Sequence, residues 1–180
     1  QVRSVDLFPT LLELLVVARP KRDLPALPSG MAAESLVPAM KGAVLPDRPV
    51  YAETGLWFID RGPGFFQQKR LPYPDVTKIC FFEEYYHNDI VVRDNWKDFT
   101  ETAKHRMLIA DKWKVIYCPT PRGIEWELYD LAADPEETTN LAGSRPEELE
   151  VMKRRLFDFM LTRPGWTMVG DYYLPAGDQP

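Results

Sequence analysis

Leu7, Leu11, Leu14 and Leu15 recur at helical spacing and give residues 4–18 one apolar face. Ser4 or Asp6 can accept the first free backbone N–H groups of that helix, and Pro9 is tolerable only near its first turn. Pro20, Pro25 and Pro28 then predict an extended connection over 19–30. One or two helical turns follow at 34–40, closed by Gly42. In residues 48–54 Val50 and Ala52 alternate with Tyr51 and Glu53, the period of a strand.

The pattern is plain again from residue 105. Segments 106–110 and 113–118 flank Asp111-Lys112 and predict a hairpin, and 125–131 supplies a third strand after Pro121-Arg122-Gly123. Ser144 and Glu147 have capping-box spacing, with Pro146 in the first turn of a helix. Leu149, Met152, Leu156, Phe159 and Met160 form its stripe, and Pro164-Gly165 ends it. The tail 166–180 is punctuated by proline and glycine and is expected to wrap the surface. Between the two patterned parts, segment 55–104 is the least regular and the richest in aromatics, too rich for disorder. Long irregular segments of this kind are often functional. The fold expected is α+β, a small antiparallel sheet of about four strands, with 48–54 among them, packed against the C-terminal helix.

Composition narrows the function classes. Of 180 residues, 45% are hydrophobic and 27% charged, an ordinary globular balance. The net charge of −5 is spread along the chain with no Lys/Arg stripe, which argues against nucleic acid as a partner. The longest apolar run, 14–18, is far too short to span a membrane. Two cysteines and two histidines, without CxxC or HxxxH spacing, do not make a zinc site, and leave a disulfide open. Gln1 is not a start residue, so the natural N-terminus and any export signal are expected upstream.

Four phrases carry a family resemblance. Val5-Asp6-Leu7-Phe8-Pro9-Thr10-Leu11-Leu12-Glu13-Leu14 resembles the helix that follows the metal-binding core of sulfatases, and Glu34-Ser35-Leu36-Val37-Pro38 resembles the turn that comes next. Asp111-Lys112-Trp113-Lys114-Val115-Ile116-Tyr117 is similar to the family's late hairpin, usually GDWKLIY. Glu127-Leu128-Tyr129-Asp130-Leu131, Asp134-Pro135-Glu136-Glu137 and Asn140-Leu141 are similar to its ELYDLxxDPxExxNL ending. The resemblance covers 4–54 and 105–162. Each phrase also has a structural meaning, and Trp113 and Tyr129 are expected to be packing residues.

The resemblance implies the C-terminal portion of an alkaline-phosphatase-like hydrolase acting on sulfate esters, with a phosphonate monoester or phosphodiester hydrolase and an autonomous interaction domain as alternatives. Residues 1–47 would be the trailing helix and connection of a catalytic domain absent here. Residues 48–180 would be the C-terminal subdomain, with 55–104 as an insertion. The first helix would belong to that catalytic domain, or to a second copy through self-association. The parent, exported to a periplasm or secreted, would carry calcium and a formylglycine nucleophile; this chain is expected to hold neither.

Cys118-Pro119-Thr120-Pro121-Arg122 is a decoy for the formylglycine signature C-x-P-x-R, because Thr120 stands where proline is required. Asp60, Asp75, Glu83, Glu84, Asp89 and Asp94 lack metal-loop spacing and read as a solvated face. His87, His105, Arg106 and Lys112 remain as candidates for the rim of a neighbouring substrate cleft, against the simpler reading of surface charge. No catalytic or metal residue is assigned.

Overall fold

The computed structural model describes residues 3–18, 33–45, 48–56, 70–72, 74, 76–86 and 89–176. The chain divides into two compact units, Gln1–Val50 and Tyr51–Pro180.

The first unit holds helix α1 (Leu7–Ala18), entered through a 3-10 turn Ser4–Asp6, and the single helical turn α2 (Val37–Met40). Asp6 does more than cap the helix. Its fully buried carboxylate accepts hydrogen bonds from Arg3 Nε (3.1 Å) and Nη2 (2.8 Å) and from the Glu34 backbone N–H (3.0 Å), with Arg48 Nη2 at 3.4 Å. Thr10 Oγ1 donates to the Asp6 carbonyl at 2.5 Å and accepts the Leu36 N–H at 2.8 Å. Two side chains one turn apart thus fasten the approach to α2 onto the start of α1. The expected apolar stripe is there and uncovered: Leu7, Phe8, Leu11, Leu14 and Leu15 are all exposed, Leu11 at 59%.

The second unit is organised by a four-stranded sheet of order β1-β4-β5-β6. Its strands are β1 (Val50–Glu53), β4 (Arg106–Ala110), β5 (Trp113–Thr120) and β6 (Gly123–Asp130), with β4–β5 and β5–β6 antiparallel. Both β5 and β6 extend two residues further into the Pro121-Arg122 turn than the prolines suggest. The ladder there runs to Thr120↔Gly123, and Gly123 adopts φ +127°, a backbone region closed to most side chains. Helix α5 (Pro146–Met160) packs on β4 and β5. Leu149, Met152, Leu156 and Met160 close over Leu108, Ala110, Val115, Tyr117 and Leu128, giving the α+β layer expected. Phe159 is the exception in the stripe: 45% exposed, it stacks on Tyr51 at 4.6 Å instead of entering the core. Trp113 packs against the core edge, as expected.

Three local expectations change. Ser144 does not cap α5, because its hydroxyl turns back to the Leu141 carbonyl; Arg145 holds the N-cap position without a side-chain bond. Segment 55–104 is irregular only in part: it contains the helical turn α3 (Val76–Ile79), the hairpin β2 (Cys80–Glu83) with β3 (Asp89–Val92), and helix α4 (Asp94–Thr102). The tail is also regular, forming hairpin β7 (Trp166–Val169) with β8 (Tyr172–Pro175) around Gly170 at φ +59°. Tyr173 of β8 is buried in the main core; its N–H donates to Tyr117 Oη at 3.1 Å and its hydroxyl to the Met160 carbonyl at 2.8 Å. Among the described residues no helix is long and apolar enough to cross a membrane.

Candidate functional site

The alternation of β4 decides where its first residue points. Arg106, Leu108 and Ala110 share one phase, and all three are buried. The Arg106 guanidinium therefore lies under the sheet, 1% exposed, where an isolated charge would be costly. It is compensated from several elements. Nη1 donates to the Lys104 carbonyl (3.1 Å), and Nη2 to the Glu101 carbonyl (2.7 Å) and Glu101 Oε1 (3.2 Å), while the Tyr173 ring lies 4.9 Å from its Cζ. Nε stands 3.6 Å from Glu53 Oε2, close enough for an ion pair, yet this buried N–H has no hydrogen-bond acceptor.

Glu53 closes β1 and also takes Lys104 Nζ at 2.6 Å and the Tyr51 hydroxyl at 3.0 Å. Glu101, near the end of α4, takes Lys104 at 3.0 Å and Arg163 at 2.8 Å. Burial alone would raise Glu53, but the Lys104 hydrogen bond and the neighbouring cations outweigh it and hold the carboxyl below its usual range. Burial pushes the Tyr51 phenol upward and the Tyr117 phenol up to about 12, so both are neutral hydrogen-bonding groups near neutral pH. Beside this cluster opens a cleft of about 210 Å³ lined by Tyr51, Glu53, Arg106, Phe159, Thr162 and Arg163, with Met160 and Tyr173 at its base. Aromatic walls with a few convergent charges are the usual make-up of a small-ligand site.

Of the rim candidates, Arg106 is thus the most buried charge of the sheet rather than a surface one. His105 adjoins it, its N–H bonded to Thr54 Oγ1 and its carbonyl to the Thr54 N–H, which ties β4 to the end of β1. Lys112 is not brought to them. It sits at the opposite end of β4, paired with Asp130 at 2.5 Å and lying over the Trp113 ring. His87, Asp60 and Asp75 lie outside the described residues. Glu84 and Asp89 are exposed on the β2–β3 hairpin, and Asp94 pairs with Lys97. Cys118 is buried within β5 and forms no disulfide, and it is not at the start of a helix. Glu53, Glu101, Arg163 and Tyr173 escaped the sequence reading. The one signal available was Arg106 itself, a charge in phase with Leu108 and Ala110, which calls for buried counter-charges.

A hard cation needs several convergent oxygens. Among the described residues no three His, Cys, Asp or Glu side chains converge, and both Glu53 and Glu101 already face cations. This donor set does not fit calcium. Nor does Cys118, in a strand and with Thr120 two residues on, fit the formylglycine motif.

No family model matches the chain. Arylsulfatase K of Xenopus laevis is 33% identical over 72 residues, covering 37% of this chain and 13% of that protein. The solved phosphonate monoester hydrolase of Silicibacter pomeroyi superposes over 97% of this chain and 29% of its own, at TM-score 0.51 and 13% identity, a likeness of fold. A solved 2-O GAG sulfatase matches over 88% of this chain and 24% of its own, at TM-score 0.49 and 22% identity. The chain therefore spans well under a third of the length of each. In sequence the chain is thus similar to a short stretch of an arylsulfatase, and in fold to part of a phosphonate monoester hydrolase.

Proposed function

We propose that this chain is the supporting C-terminal portion of a sulfate ester hydrolase, without the reaction centre, and that its second unit lines one side of the substrate cleft. The observation that carries the reading is α1. Its stripe of exposed leucines and Phe8 is a surface of the kind that marks an interface. In this reading it docks on the catalytic domain, which supplies calcium and the formylglycine nucleophile. The share of each relative left unmatched leaves room for such a domain. The same scaffold on a phosphonate monoester hydrolase is the nearest alternative, and the upstream nucleophile and cleft residues would separate the two.

The test compares the isolated chain with the protein encoded by the uninterrupted gene, assayed on 4-nitrophenyl sulfate and on a phosphonate monoester with and without calcium. Turnover confined to the longer protein, with sulfate preferred, is the expected result. Preference for the phosphonate transfers the reading to the alternative. Calcium-dependent turnover by the isolated chain, abolished by Cys118→Ala, overturns it.

A further inference from the structure

The charges around Arg106 do not balance. Lys104, Arg106 and Arg163 are three cations facing the two carboxylates of Glu53 and Glu101, which leaves one positive charge in a partly desolvated cluster. The imbalance has a location. Arg106 Nε–H is buried, aimed at Glu53 across 3.6 Å, and without an acceptor, while Nη1 and Nη2 donate to the Lys104 carbonyl and to Glu101. A buried donor left without an acceptor is uncommon and calls for a missing partner. Arg106 and Glu53 both line the cleft described above. Arg163, half exposed, and the Thr162 hydroxyl stand on its other wall, and the Tyr51–Phe159 stack forms an apolar side.

We propose that the cleft between β1 and the C-terminal end of α5 is a binding site for one monoanionic oxyanion, a sulfate-ester or carboxylate group. In this site one ligand oxygen accepts Arg106 Nε–H and another accepts from Arg163. Glu53, one-third exposed, retains Lys104 and yields its place at Nε. The ligand's organic part lies along Tyr51 and Phe159. The geometry suits an oxyanion better than a halide, because the donors come from two separated guanidinium groups and can each meet a different ligand oxygen. The volume, about 210 Å³, suits one anionic group with a single ring or less. No covalent step is involved, and the proposal does not depend on what reaction the parent performs.

The test follows the Nε–H resonance of Arg106 in ¹H–¹⁵N spectra of the full chain, identified by its loss in Arg106→Lys. The titrants are sodium sulfate, phenyl sulfate and sodium benzoate, each against sodium chloride at matched ionic strength. A saturable shift with sulfate or benzoate but not with chloride is expected, and the tighter of the two names the oxyanion. Phenyl sulfate should bind more tightly than inorganic sulfate if the stack forms the apolar wall. Arg163→Gln, at a half-exposed position, should weaken binding about tenfold by removing one charge-assisted hydrogen bond. No saturable shift, an equal shift with chloride, or affinity unchanged in Arg163→Gln overturns the site. None of these readouts requires turnover or the catalytic domain, so failure here leaves the proposed function standing, and the converse holds.

Discussion

The carboxylate of Asp6 and the backbone N–H of Glu34 meet at 3.0 Å, although 28 positions separate them in sequence. Together with Thr10 and Leu36 this pair fixes where the chain returns after the connection that leaves α1. The Arg3 hydrogen bond, with Arg48 alongside, holds the Asp6 carboxyl down to about 2, against a reference near 4. The bland expectation of an N-cap understates it, since a cap serves one helix and this carboxylate serves both ends of a long excursion.

Asp6→Ala should therefore release the turn before α2 as well as the first turn of α1. Removing one partner of a buried ion cluster costs about 3 kcal/mol. The check is amide hydrogen exchange, in which Glu34 and Leu36 should lose protection together. Exchange at Leu36 unchanged in the variant would show that Thr10 alone holds the turn.

The same network sets a pH dependence. Because the folded carboxyl lies below its unfolded value, its contribution is fully present above about pH 4 and disappears as pH falls through about 2. Wild type should lose protection at Glu34 across that window. Asp6→Asn should show no such transition there.

Leu156 is fully buried between α5 and the sheet, whereas Phe159 one turn later lies half outside. Leu156→Ala should cost about 2–5 kcal/mol, and Phe159→Ala distinctly less, because its ring is only partly removed from water. Chemical denaturation of both variants decides this, and equal losses would contradict the placement of Phe159.

At the β4–β5 turn Asp111 adopts φ +55°, a conformation that suits glycine, and glycine is what the sulfatase phrase usually has there. Asp111→Gly should stabilise the unit by about 0.5–1 kcal/mol despite losing the exposed ion pair with Arg155, since such pairs contribute little. A lowered denaturation midpoint would mean that the Arg155 pair outweighs the backbone strain.

The exposed stripe of α1 gives a prediction of another kind. Leu11→Glu should leave the fold of the isolated chain unchanged, because Leu11 already faces solvent. It should abolish any concentration-dependent association seen by sedimentation velocity. In the proposed full-length enzyme it should destabilise instead. Neutrality in both settings would remove α1 as an interface.

Elements whose side chains declare one environment were legible from sequence. The alternation of β4 and β5 and the stripe of α5 each name a buried face without outside help. The β2–β3 hairpin was not, because Phe81, Phe82 and Ile90 on it are exposed, so no polar phase separates from an apolar one. Helix α4, DNWKDFTET, is mostly polar, and its buried residues include Thr100 and Thr102, which carry no hydrophobic signal. In the tail, prolines and glycines outweighed the alternation of β7 and β8, and the anchoring of Tyr173 is set by Tyr117, 56 positions away. At the candidate cleft, Arg106 was noticed as a charge but read as surface, because the carboxylates that permit its burial come from β1 and α4.

The β7–β8 hairpin leaves the ribosome after the sheet and α5, which are by then available to fold. Until Tyr173 arrives, Tyr117 lacks its bond to the Tyr173 backbone, Arg106 lacks the ring beneath it, and the Tyr172 hydroxyl has not reached the Thr120 carbonyl. The nascent unit thus waits, open on one side, for residues 166–175. A stop just after Gly165 would remove a clasp, and the shortened product should be cut by protease inside β4 and β5 while the chain that carries the hairpin resists. Closure of the unit would then hang on the seating of one tyrosine.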